Sequence, residues 1–182
     1  MTFDQWLARA EVPAGQILSP DLLGFGFVAP AGWTVAQTPG LKSKVLVSSP
    51  DGAARIAVLC HKAPGYAQRT QEEIDVENAE KPVLAEDWQA QRLGKVVACG
   101  PVVLDGHPSA LAVLDPPVKG ALGMLFPNRY SRLACLLAST PGQIWQVVGA
   151  AQGPSEVAAQ AAFAQHAPAL LGSLLTFRCW TR

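Results

Sequence analysis

The side chains in this 182-residue chain that could do chemistry are three histidines, four cysteines and one run of carboxylates. His61 follows Cys60 directly, so on a strand the two side chains point to opposite faces and cannot form a thiolate–imidazole pair there. His107 comes just after Asp105-Gly106, and His166 stands two residues before Pro168. Spacing places no general-base partner beside either, and all three histidines read as surface or helix-end residues. Cys60, Cys99, Cys135 and Cys179 stand singly in apolar runs without C-x-x-C spacing. There cysteine behaves as a small hydrophobe, so buried thiols are expected, with one disulfide as the alternative if the protein is exported. Nothing has zinc-ligand spacing, and no metal site is expected.

Gly24-x-Gly26-x-x-Ala29 formally matches a dinucleotide fingerprint. That loop works only where it opens a helix whose N-terminus faces the pyrophosphate. Pro30-Ala31-Gly32 follows at once, so the expectation is a closely packed strand and no cofactor. The chain has no G-x-S-x-G elbow, no H-E-x-x-H and no phosphate-binding Gly-rich loop, and no catalytic residues are assigned. The acidic run Gln71–Glu80 carries Glu72, Glu73, Asp75, Glu77 and Glu80. At helical spacing it reads as a solvated face, with carboxylates favoured in the first turn by the helix dipole.

The segment Pro116–Asn128, PPVKGALGMLFPN, is long and apolar for a loop. Leu122, Met124, Leu125 and Phe126 stand nearly together, whereas loops are usually polar. Two readings stay open. The segment folds back to cap a sheet, or it offers a contact to an acyl chain, a protein partner or a second copy of the chain. Met suits such a surface because its unbranched thioether adapts to varied shapes. Trp33, Trp88 and Trp145 are candidate neighbours whose default place is the core.

The totals narrow the choice of partner. Hydrophobic residues make up 49% and charged ones 15%, below the roughly 25% usual for soluble domains. Fourteen basic and fourteen acidic side chains cancel, so no field would steer the chain to nucleic acid or anionic lipid. No stretch approaches the ~20 apolar residues of a membrane span. MTFDQWLARAEV lacks the basic and long apolar parts of a secretory signal. As written the chain reads as cytoplasmic, or as a cell-envelope protein if a leader was removed.

The elements that must position these residues follow from local signals. Thr2-x-x-Gln5 is a capping box opening a short amphipathic helix with Phe3, Trp6, Leu7 and Ala10 on one face. Val12–Leu23, with Pro13, Gly15 and Pro20, reads as an extended linker. Phe25–Ala29 and Trp33–Gln37 read as strands around Pro30-Ala31-Gly32-Trp33, and Lys44–Ser48 and Ala54–His61 as strands around Ser49-Pro50-Asp51-Gly52. Thr70-x-x-Glu73 opens a helix that Pro82 stops near Lys81. Val83–Gly94 has no clear signal. Asp105-Gly106 joins Val96–Leu104 to His107–Leu114 as a hairpin, and Pro141-Gly142 joins the two apolar runs of Tyr130–Ala150. A helix follows from Ser155, and Pro168 should kink or interrupt it. Hairpins with helices between and after them make an antiparallel α+β sandwich.

Three features in this order resemble the PsbP-like fold, and more specifically the actinobacterial LpqN/LpqT lipoprotein family. They are the N-terminal Thr2-Phe3-Asp4-Gln5-Trp6-Leu7, the strand–turn Phe27-Val28-Ala29-Pro30-Ala31-Gly32-Trp33, and two late hairpins before a closing helix and Thr176-Phe177. The chain departs from that family in lacking a lipobox cysteine. The resemblance implies an antiparallel sheet sandwiched by helices, a PsbP-like α/β/α sandwich over residues 24–182, preceded by a helix-and-linker arm over 1–23. It also implies a non-enzymatic binding protein of the cell envelope, handling acylated lipids or escorting a transport machine. The alternative is a cytosolic chaperone or adaptor such as the DcrB-like branch supplies. A homodimer through the apolar segment is equally compatible. Leu122, Met124, Leu125 and Phe126, with Trp33 and Trp145, are the candidate binding residues.

Overall fold

The computed structural model describes residues 1–18, 24–37, 43–91, 93–116 and 130–179. The opening helix α1 (Phe3–Leu7) starts at a reciprocal cap. Thr2 Oγ1 accepts from the Gln5 N–H at 3.3 Å, and Gln5 Oε1 accepts from the Thr2 N–H at 2.8 Å. Five residues are too few to hold a helix in water, so α1 depends on what it packs against. Trp6 supplies that anchor, lying edge-on to Phe163 with ring centroids 5.4 Å apart. The extended stretch behind it becomes a strand. β1 (Gly15–Leu18) pairs antiparallel with β2 (Phe27–Pro30), which uses the ladder groups an unpaired linker would leave to water.

Seven further strands form one antiparallel sheet among the described residues. They are β3 (Thr34–Gln37), β4 (Ser43–Ser48), β5 (Ala54–Lys62), β6 (Lys95–Leu104), β7 (His107–Asp115), β8 (Tyr130–Thr140) and β9 (Gln143–Gly153). Their spatial order is β3-β4-β5-β9-β8-β7-β6. After β5 the chain crosses to the far edge through a 3-10 turn (Pro64–Tyr66), α2 (Gln71–Glu80) and α3 (Ala85–Ala90), then meanders back until β9 lies against β5. The segment Val83–Gly94 thus contains a short helix, held at its start by Asp87 Oδ2 accepting from the Leu84 N–H at 2.8 Å. In the β6–β7 turn Asp105 takes φ 52° and Gly106 φ 89°, the left-handed pair that matches the twist of its strands.

Alternation divides the sheet side chains between two cores. On one face Ile56, Val58, Leu111, Val113, Leu136 and Val147 pack under α4 (Glu156–Leu175), α1 and the β1–β2 pair. Trp6 and Leu18 of the N-terminal arm belong to this same cluster. On the other face Ala112, Leu114, Leu133, Cys135 and Val148 pack around Trp88 of α3. The fold is therefore α+β, an antiparallel sheet between helical layers.

Pro168 lies inside α4, which runs from Glu156 to Leu175, so of the two outcomes expected from the sequence, a kink or an interruption, the interruption does not occur. Proline lacks the N–H that would bond the carbonyl four residues earlier, here Ala164. Arg9 Nη2 donates to that oxygen at 2.5 Å instead. The Glu11 N–H in turn donates to the Pro168 carbonyl at 3.0 Å. Gly172 makes room for this approach, since a Cβ there would sit 1.7 Å from the Glu11 oxygen. The N-terminal segment thus completes the helix it crosses.

Candidate functional site

The residues from which the apolar segment departs are described, although Leu122, Met124, Leu125 and Phe126 lie outside the described residues. Asp115 closes β7, and Arg132 lies near the start of β8. Arg132 Nε and Nη2 donate to the two carboxylate oxygens of Asp115 at 2.7 Å each, with both side chains largely buried. A two-pronged pair of this kind fixes orientation as well as distance. It holds together the two strands that lead into and out of the segment. Tyr130 at the return end is exposed.

Of the three tryptophans named with that segment, two sit on the α4 side. Trp145 is 5% exposed, with ring centroids 5.4 Å from Phe25 and 6.1 Å from Phe177. Trp33 is half-buried and meets the His166 ring edge-on at 5.9 Å. Trp88 is fully buried on the opposite face. The fold therefore does not bring the three tryptophans to one place.

A cleft of about 160 Å³ opens on the α2–α3 face, at the end of the sheet where β8 turns into β9. Its floor is Ala110, Leu137 and Ile144, from three adjacent strands. Asn78 and Lys81 of the α2 C-terminal end, with Pro82 and Val83, form one wall. Tyr66 from the 3-10 turn, Gln91, Ser109 and Ser139 supply further polar rim. Ala110 and Pro116 are about 20 Å apart along the strand at ~3.4 Å per residue. The cleft and the attachment points of the apolar segment thus lie at opposite ends of β7 and β8.

Polar contacts seat α2 over this cleft. Gln71, Asp75 and Asn78 share one helix face by their spacing. Gln71 Nε2 donates to Asp75 Oδ1 at 2.8 Å and to the Ser139 carbonyl at 3.1 Å, and Asn78 Nδ2 donates to the Pro108 carbonyl at 3.4 Å. Asp75 Oδ2 lies 2.7 Å from His107 Nδ1. The acidic run is therefore not wholly a solvated face, because Asp75 turns to His107, whereas Glu77 pairs with Arg69 at the surface. Ser109 Oγ donates to the His107 carbonyl oxygen rather than to its ring.

The other histidines also have partners far away in sequence. His61 Nε2 lies 3.1 Å from Gln146 Oε1, and Gln146 Nε2 donates to the Cys135 sulfur at 3.3 Å. Burial pushes the Cys135 thiol up to about 12, and the Gln146 donor only partly offsets that. A thiol so placed is not a nucleophile at neutral pH. His166 Nε2 lies 3.1 Å from Asp51 Oδ2. Among the described residues no group of three or more His, Cys, Asp or Glu side chains could hold a metal ion. No described helix is long and apolar enough to cross a membrane.

No family model matches the chain, and no curated protein is similar to it in sequence. Among solved structures it is similar to cyanobacterial PsbP (CyanoP) of Synechocystis sp. PCC 6803, with a TM-score of 0.54 and 12% identity over 91% of this chain and 92% of that one. The fold is PsbP-like. A protein of Bacteroides thetaiotaomicron VPI-5482 matches with a TM-score of 0.47 and 13% identity, over 92% of this chain and 49% of that one. This chain therefore spans about half the length of that protein. The likeness to CyanoP is one of fold, carried almost from end to end of both chains.

The cleft is the feature that sequence reasoning did not find. Its residues come from five separate elements and the segments that flank α3, and none carries a motif. The nearest sequence signal is Lys81-Pro82, which stops α2 and leaves its last turn facing the sheet.

Proposed function

We propose that the chain is a non-enzymatic binding or accessory protein that receives a projecting group of a protein partner. The observation that carries this reading is the size and lining of the cleft. Sites that enclose a whole small ligand usually measure roughly 300–1,000 Å³. At about 160 Å³, with an apolar floor and a polar rim, this one suits a single side chain or the end of an acyl chain. The PsbP-like fold supports the reading as architecture, since the fold supplies a scaffold rather than a reaction.

The resemblance to the LpqN/LpqT lipoproteins supports a place in the cell envelope and an acylated ligand as the second reading. In that reading Leu122, Met124, Leu125 and Phe126 supply the apolar contact, and Trp33 and Trp145 its surroundings. The DcrB-like alternative, a chaperone or adaptor for a secreted or membrane client, shares the protein-binding prediction.

Native mass spectrometry of the purified protein, followed by solvent extraction, separates these readings. A protein free of adducts, whose cross-linked partner is lost when Ala110→Trp fills the cleft, supports the partner reading. A co-purifying acylated species that is lost in the Leu125→Ser/Phe126→Ser variant, and kept in Ala110→Trp, replaces it with the lipid reading. Partner capture unchanged in both variants would remove the cleft and the segment from the function altogether.

A further inference from the structure

The four cysteines sort onto the two faces of the sheet. Cys99 and Cys135 pack with Trp88 in the core under α2 and α3, whereas Cys60 and Cys179 belong to the core under α4. Cys99 and Cys135 are each in register with Ala112 of the strand between them. Two strand spacings, about 9.5 Å, therefore separate their Cα atoms. A disulfide spans only about 4.4–6.8 Å. For every mixed pair the sheet itself lies between the two sulfurs. One pairing is left.

The register and the aromatic contacts bring its two members to the same stretch of core. Cys60 stands opposite Trp145 in the β5–β9 ladder. The Trp145 ring lies 6.1 Å from Phe177, and both rings pack on Phe25. Just beyond, Arg178 and Gly26 exchange two backbone hydrogen bonds of 2.7 Å, an isolated antiparallel bridge that ties the C-terminal segment down beside Phe25. Phe177 and Cys179 are buried on either side of the exposed Arg178, and both belong to the cluster that holds Trp145 and Cys60. Cys179 is 8% exposed, and Cys60 is more accessible. Burial, and then the neighbouring Cys60 sulfur, push the Cys179 thiol upward, as two thiols sharing one apolar site would do.

We propose that Cys60 and Cys179, present as thiols in this structure, are a redox-responsive pair that closes into an intramolecular disulfide. The oxidant is a small-molecule disulfide of the glutathione type. The Cys60 thiolate attacks it, its S–S bond breaks, and one glutathione thiolate leaves and takes up a proton. Cys179 gives up its proton and attacks the Cys60 sulfur, and the second glutathione leaves as a thiol. Two protein thiols lose two electrons, and one oxidant disulfide becomes two thiols. The bond would tie the C-terminal segment to β5 and close a loop of about 120 residues, long enough for a large restriction of the unfolded chain.

The test is incubation of the folded protein with oxidised glutathione, followed by thiol counting, peptide mapping and thermal unfolding. The expected result is loss of two of the four thiols, a single linked peptide joining Cys60 to Cys179, and a Tm higher by roughly 5–10 °C that dithiothreitol reverses. Cys179→Ser should instead stop at a stable glutathione adduct on Cys60. Four surviving thiols in the wild type, a persistent Cys60 adduct with Cys179 still free, or a link between any other two cysteines would overturn the proposal. Behaviour of the wild type identical to Cys179→Ser would place the two sulfurs too far apart to close.

Discussion

Arg9 donates to the backbone oxygen of Ala164, the carbonyl that Pro168 leaves without a partner inside α4. A side chain from the first ten residues thus repairs a defect in the last helix. The same guanidinium lies 5.5 Å from the centre of the Trp6 ring, so one residue ties α1, its anchor and α4 together.

Arg9→Ala is expected to lower stability by about 1.5–3 kcal/mol, since it removes a charged hydrogen bond to a partly buried carbonyl. In the Pro168→Ala background the restored N–H can serve Ala164, so the same change should cost about 1 kcal/mol less. Urea unfolding of the four proteins measures this coupling. Costs that add to within about 0.5 kcal/mol would show that Arg9 does not complete the helix.

Gly172→Ala places a methyl group where the Glu11 carbonyl now lies, 1.7 Å from the ideal Cβ position. No small rotation relieves a clash with backbone, so the N-terminal segment must lift from α4. Limited proteolysis should then cut within residues 1–14 at least tenfold faster than in the wild type. A Tm fall without that local exposure would mean that α4 moves instead.

The Asp51 carboxyl is held below its ordinary value of 3.8, first by the Ser49 hydroxyl, then by the Ala53 N–H and by His166. Its folded pKa lies below the unfolded one, so its contribution is fully present above about pH 4 and is lost as pH falls through the lower folded value. Asp51→Asn should lower Tm at pH 5–6, and the gap from the wild type should shrink between pH 4 and pH 2. Because Asp51 is largely solvent-exposed the effect is small, and differential scanning calorimetry suits it. A gap of constant size across that range would remove the carboxylate from the account.

Arg132→Lys should lose most of the benefit of the Asp115 pair, because an ammonium cannot match both carboxylate oxygens. Arg132→Ala should cost about 1–3 kcal/mol and Lys should recover less than half of it. Chemical denaturation gives both numbers. Full recovery by Lys would mean that charge alone, without the fork geometry, holds β7 to β8.

What the sequence by itself determined is local. Thr2-x-x-Gln5 and Thr70-x-x-Glu73 mark two helix starts because the cap bonds close within four residues. Asp105-Gly106 marks a hairpin because few other pairs accept two left-handed residues in a row. The sheet-between-helices class follows from these signals and from the alternation of the strands. Strand order decided the rest. Asp75 meets His107 across 32 residues, and His166 meets Asp51 across 115. These pairs exist only because β9 inserts beside β5 and carries α4 over one face while α2 covers the other. Periodicity reports which face a side chain takes, but not what lies across it. The cleft, the repair of Pro168 and the sorting of the cysteines therefore needed the tertiary structure, where distant segments first share a surface.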